Sequence, residues 1–242
     1  MSIEMSFTKE TLEHYLKELA KEFRRRNNKA VSAEIILVGG ASMLINYGFR
    51  DRTYDVDAII HAESSMKDAI NVVGDKYSLP NGWLNTDFRR TKSYTPRLIE
   101  VSLYYKTFSN VVSIRTVASE YLIAMKLMSG RKYKNDLSDI IGILREHQLR
   151  NTPISLDQID AAVYKLYGDW SEIPAYSKEF INIVIMVEDY DALYLQYRNE
   201  EIESKEILLN IQKEYLGLIN QDNLEDILNK ARRKDQNKEI QR

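Results

Sequence analysis

The sequence predicts an α+β fold: a small mixed β-sheet core with flanking helices, followed by an all-helical C-terminal domain. Three observations predict it. Between residues 33 and 115, short runs of branched and aromatic residues alternate with helical patterns. From Thr116 onward no stretch reads as a strand, and Gly and Pro thin out. The loop at Asn151, Thr152 and Pro153 is the best break between two units, residues 1–150 and 151–242.

The elements follow in order. Leu12, Tyr15, Leu16, Leu19 and Phe23 form the apolar stripe of a helix over 8–26, with Thr8 placed to cap it. AEIILVGG reads as a buried strand from Glu34 to Val38 that ends in two glycines. A short helix, Ala41 to Tyr47, precedes a second strand from Tyr54 to Ile60. A helix over Ser65–Tyr77 runs into a loop with Pro80, Asn81 and Gly82. Two further strands are expected at Leu98–Tyr104 and Val111–Arg115. Helices are expected at 117–129, 135–147, 156–167, 176–198, 202–219 and 223–234, and a fraying tail from Ala231. Ser155 with Gln158 three residues on has the form of a capping box.

Composition excludes several classes. With 44% hydrophobic and 29% charged residues, the chain has material for a core and is not globally disordered. No apolar run approaches the roughly 18 residues of a membrane span. The opening residues carry acids before any apolar stretch, so no signal peptide is expected; a cytoplasmic location without a membrane partner is the simplest expectation. The absence of cysteine excludes disulfides, zinc–thiolate sites and a cysteine nucleophile. His14, His61 and His147 share no ligand spacing. Thirty-four basic residues oppose 36 acidic ones, which is not the field of a general nucleic-acid binder. Basic clusters are local: Arg24–Arg26, Arg50 with Arg52, Arg89–Lys92, and Arg131–Lys134.

The chemistry concentrates in LVGGASMLINYGFRDRTYDVDAII, residues 37–60. Asp55 and Asp57 stand two apart on an expected strand, so both carboxylates share a face. Two like charges on an otherwise apolar strand call for a cation, and oxygen ligands favour Mg²⁺. Gly39 and Gly40, between a strand and a short helix, allow backbone N–H groups to approach an anion, and Ser42 could add a hydroxyl. A phosphate nest beside paired carboxylates is the layout that two-metal phosphoryl or nucleotidyl transfer requires. Each part has a plainer reading, as a turn or a solvated acidic pair; the conjunction is what carries the signal.

Residues 37–60 resemble the signature of the nucleotidyltransferase superfamily with the polymerase-β-like fold: an apolar residue, Gly, Gly or Ser, a spacer and an acid–apolar–acid strand. The spacer here is the 14 residues Ala41 to Tyr54, slightly longer than usual. The glycine pair, followed by Arg52, Thr53 and Asp55, resembles the branch of abortive-infection-type toxin nucleotidyltransferases and their uncharacterised relatives. YLIAMKLMSGRKYKNDLSDIIGIL, residues 121–144, is similar to that branch's helical motif. The resemblance spans roughly residues 33–145.

The resemblance implies Mg-dependent transfer of a nucleoside monophosphate from an NTP to a hydroxyl acceptor. Asp55 and Asp57 would be metal ligands, with Glu100 in RLIEVSLYY as the third carboxylate and Asp87 as the fallback. Lys126 would contact the triphosphate. Asp136 and Asp139, three apart on one helical face, would position Lys126 or bind the nucleotide, or else pair with Arg131 and Lys134. Arg52 would lie near the phosphates, with Gly39, Gly40 and Ser42. The toxin branch implies tRNA or protein as acceptor and a cognate antitoxin as partner. Two alternatives stay open: a nucleotidyltransferase-like binding module without turnover, and an antibiotic-modifying enzyme whose acidic pocket would draw on Glu188, Asp189 and Asp191. Tyr104 and Tyr105 are candidates for base stacking or for ordinary half-buried packing.

Overall fold

The computed structural model describes residues 5–27, 31–214, 223, 224, 226–228 and 230. The fold is α+β, with five strands in the order β3-β2-β1-β5-β4. These are β1 (Ala33–Leu37), β2 (Val56–His61), β3 (Leu84–Asn85), β4 (Ser102–Phe108) and β5 (Val112–Val117). The sheet is mixed: β1 lies parallel to β5 and antiparallel to β2, β3 lies parallel to β2, and β4 antiparallel to β5. β1 sits in the middle and its side chains alternate between two cores. Ile35 and Leu37 join Leu12, Leu16, Phe23 and Trp83 on one face; Ile36 and Val38 join Leu122, Ile140 and Phe180 on the other. A strand covered on both faces is why AEIILV reads as one apolar run.

The first face is covered by α1 (Lys9–Arg26) and α3 (Ser65–Tyr77). Thr8 caps α1 in a reciprocal box with Thr11. The second face carries α2 (Gly39–Asn46), α4 (Ser119–Ser129), α5 (Asp136–Leu149), α6 (Leu156–Tyr167) and α7 (Ala175–Val184). The Ser155–Gln158 capping box opens α6 as expected. A hydrogen-bond chain ties three of these helices: the Tyr47 hydroxyl donates to Ser119 Oγ (2.7 Å), which bonds His147 Nε2 (2.8 Å). The second core runs without a break from Ile36 to Tyr190, past the loop at 151–153.

Several boundaries differ from expectation. The long C-terminal helices break at 185–189 rather than after 198, so α8 runs Tyr190–Glu214 as one rod. The short strand β3 was not foreseen. The expected helix at 223–234 is only partly within the described residues, and the tail from 231 lies outside them. No helix among the described residues is long and apolar enough to cross a membrane.

β4 closes one end of the sheet. Its Leu103 and Tyr104 are exposed, its register shifts between Tyr104 and Lys106, and Lys106 pairs with Glu13 of α1 (3.0 Å).

Candidate active site

The site is built where β1 ends and β2 begins. Leu37 stands opposite Ala58, and the Val38 N–H donates to the Asp57 carbonyl (3.0 Å). That bond sets the glycine turn beside the acidic strand. The two glycines are there for different reasons. Gly39 opens α2 at φ +51°, and a Cβ on it would meet nothing within 4 Å; the backbone is left open to a ligand. A Cβ on Gly40 would lie 2.5 Å from Thr53 Oγ1 and 3.3 Å from an Arg50 nitrogen, so Gly40 serves close packing.

Asp55 is exposed and just precedes β2; the Thr53 hydroxyl is 3.1 Å from its carbonyl and 3.3 Å from its carboxylate. Asp57 lies within the strand and is half-buried. Burial, then the charge of Asp55, pushes Asp57 up to about 6, with Lys134 and Arg131 pulling the other way and Asp87 adding to the rise. A carboxylate pair whose repulsion is only partly offset is a fitting donor set for a hard divalent cation. Among the described residues no group of three or more His, Asp or Glu side chains gathers closely enough to hold a metal. An ion on Asp55 and Asp57 would therefore draw its remaining oxygens from water and phosphate, as Mg²⁺ commonly does.

Glu100 does not join this edge. The expected strand from Leu98 is instead a 3₁₀ turn, Pro96–Ile99, capped by Thr95, and β4 begins only at Ser102. Glu100 ends that turn, exposed and paired with Lys165 of α6. β4 lies three strands from β2, about 14 Å at the usual ~4.8 Å spacing. The neighbouring carboxylate is Asp87: Asn85 of β3 pairs with Asp57, and Asp87 follows two residues later.

Behind the edge sits a cluster of buried charges. Lys126 Nζ is 2.8 Å from both Asp136 and Asp139. Arg50 places one nitrogen 2.6 Å from each oxygen of Asp139, and Arg131 takes Asp136 through Nε (2.8 Å) and its backbone N–H (3.1 Å). Burial opposes charge at both carboxylates, but Lys126 and Arg131 outweigh it at Asp136, and Arg50 and Lys126 at Asp139, so both are held below the ordinary range. Burial likewise opposes the charge of Lys126, and the two aspartates overcome it and raise its pKa. Asp136 and Asp139 thus hold cations. Asp139 takes Arg50 rather than a residue of the 131–134 cluster, and Lys126 is turned toward the aspartates.

Ser42 does not lie open beside the glycines. It is fully buried, and its hydroxyl accepts from the Val117 N–H (3.1 Å), joining α2 to β5. Arg52 is exposed beside Thr53. Tyr105 donates to Glu13, while Tyr104 is exposed on β4. Of the C-terminal acids, Asp189 accepts backbone N–H groups of Asp191 and Ala192, and Asp191 pairs with Arg145.

The pairing of Asp136 with Arg131 is the plainer alternative that the sequence left open; Arg50 as the partner of Asp139 was not foreseen. Sequence reading gave no signal for three residues of α8. Glu201, 3% exposed, accepts the Leu137 and Ser138 N–H groups (2.9 and 3.3 Å); Arg198 donates to Asn135; Lys205 lies over the Tyr54 ring, 5.3 Å from its centre.

Residues 14–172, roughly two thirds of the chain, match a family described as nucleotidyltransferase of unknown function (DUF6036). No curated protein and no solved structure matches.

Proposed function

The chain belongs to the nucleotidyltransferase family of unknown function, and from that premise we propose that it transfers a nucleoside monophosphate from a Mg-bound NTP to a hydroxyl acceptor. The acceptor oxygen forms a bond to the α-phosphorus, the bond from that phosphorus to the bridging oxygen breaks, and pyrophosphate leaves. Asp55 and Asp57 would hold Mg²⁺, which supplies charge neutralisation at the phosphates. The backbone at Gly39 receives phosphate oxygens at the N-terminus of α2. Lys134 and Arg131, whose charges already reach Asp57, offset negative charge on the same edge. Asp87, outside the metal pair, takes the acceptor's proton. Arg50 and Lys126 are held by Asp136 and Asp139 and keep that wall positive.

One observation carries this reading: the Val38 N–H to Asp57 carbonyl bond, which seats an open glycine backbone next to two carboxylates. Exposed Arg52, Lys134 and Lys205 near Tyr54 favour a polyanionic acceptor such as a tRNA end over a cationic drug. A toxin-like role, with an antitoxin as partner, follows if that acceptor is tRNA or a protein.

The test is label transfer from each of the four α-³²P NTPs with Mg²⁺, onto total tRNA, the protein itself or an aminoglycoside panel. Label on tRNA that vanishes in Asp57→Ala supports the proposal. Label confined to aminoglycosides assigns drug modification instead. No transfer, with NTP binding that ignores both Mg²⁺ and the substitution, identifies an inert module.

A further inference from the structure

The start of α5 is capped from a distant helix. Asn135, its N-cap residue, makes no side-chain capping bond. The first-turn N–H groups of Leu137 and Ser138 are taken by Glu201 on α8, which also accepts the Ser138 hydroxyl (2.5 Å). One turn earlier, Arg198 donates to the side chain of Asn135. The same helix grips the loop on the other side of the site. The Tyr194 hydroxyl donates to the Phe49 carbonyl (3.4 Å), its ring meets Phe49 edge-on at 5.8 Å, and Lys205 covers Tyr54. Phe49 directly precedes Arg50, and Tyr54 directly precedes Asp55.

α8 therefore touches two pieces that build the buried charge cluster: the α5 terminus with the carboxylates of Asp136 and Asp139, and the loop with the guanidinium of Arg50. It also lies wholly beyond residue 172, outside the matched family segment. Burial opposes a carboxylate at position 201, so packing alone does not account for one there; capping does, because free first-turn N–H groups need an acceptor.

We infer that α8 is an integral part of the site and that Glu201 is a positioning residue acting through α5. By capping α5 it fixes Asp136 and Asp139, and through them Arg50, Lys126 and Arg131 behind the Asp55–Asp57 edge. The functional half of this inference rests on the reading that the edge binds an NTP.

The test uses the full chain with Glu201→Ala, Glu201→Asp and Glu201→Gln, and exposed Glu206→Ala as the control on the same helix. Calorimetric titration with Mg²⁺ and each NTP is paired with amide exchange over residues 130–142 and 47–57. Binding is expected to weaken by about tenfold or more in the Ala and Asp variants, the scale of lost supporting contacts. The Gln variant, whose amide oxygen still accepts both N–H groups, is expected to restore it, and Glu206→Ala to leave it unchanged. Faster exchange at Leu137 and Ser138, spreading to 47–57, accompanies the loss. If Glu201→Ala does not fold, Glu201→Asp carries the comparison, since it keeps the carboxyl group but falls one methylene short. A folded Ala or Asp variant with wild-type NTP affinity overturns the inference. Wild-type protein that binds no NTP overturns the nucleotide reading instead; exchange over 47–57 then decides positioning, and unchanged protection there overturns that too.

Discussion

Lys126→Met tests whether the charge cluster behind the acidic edge is dry. The substitution keeps an unbranched side chain of similar reach and removes an ammonium lying 2.8 Å from each of two buried aspartates. Breaking a buried ion pair by deleting one partner costs about 3–5 kcal/mol. Here each carboxylate keeps one guanidinium, Arg131 on Asp136 and Arg50 on Asp139, so the lower end, about 3 kcal/mol, is expected. For a chain of this size that lowers Tm by about 6–12 °C. Urea and thermal unfolding at pH 7 by circular dichroism read it directly. The sign of the acid dependence follows from the same contacts. Asp136 and Asp139 are depressed in the folded state, so their contribution is full above the unfolded carboxylate pKa and lost as pH falls through the folded values. Without Lys126 those folded values rise, and acid unfolding moves to higher pH. A loss below about 1 kcal/mol with an unmoved acid transition would refute the reasoning, since that is what solvent-screened pairs contribute.

Three other expectations follow from neighbouring geometry. Asp57 is raised to about 6 against an ordinary 3.8, so it erodes stability as pH climbs between those values; in metal-free buffer at pH 7, Asp57→Asn gains about 1–2 kcal/mol after allowance for screening while label transfer is abolished. Gly39→Ala and Gly40→Ala separate by mechanism: the first adds only left-handed strain of about 1–2 kcal/mol but places a methyl in the open space over the turn and weakens NTP binding. The second collides with Thr53 and loses about 1–3 kcal/mol of stability; equal NTP affinity in Gly39→Ala and wild type would count against a phosphate seat there. Burial pushes Glu201 up to about 8, so wild-type stability declines relative to Glu201→Gln as pH rises from about 4.5 to about 8; parallel urea midpoints at pH 5 and 8 would contradict this.

The local signals were legible because they are local. Thr8 as the cap of α1, Ser155 with Gln158, and the helix over Ser65–Tyr77 declare themselves within a turn or two, and the burial of β1 is written in AEIILV. Glu100 shows the limit. RLIEVSLYY has strand composition throughout, yet Pro96 behind Thr95 starts a 3₁₀ turn that uses up Leu98 and Ile99, and the strand begins only at Ser102. The paired aspartates and the glycine turn were readable as a conjunction. What holds their cationic wall was not: Arg50 meets Asp139 across 89 residues, and Glu201 caps Ser138 across 63. Such contacts exist only once the helices pack. The break at 185–189 was hidden for a related reason, since it carries neither glycine nor proline to announce it.

The end of the sheet opposite the site has its own consequence. β4 is seven residues long, with exposed Leu103 and Tyr104, the composition of a strand that recruits other strands. Its irregular register at Tyr104–Lys106 and the lysine tied down by Glu13 spoil the straight ladder a second copy would need. The kink and the Lys106 ammonium thus oppose strand-to-strand pairing at this edge, and Lys106→Val is expected to favour it.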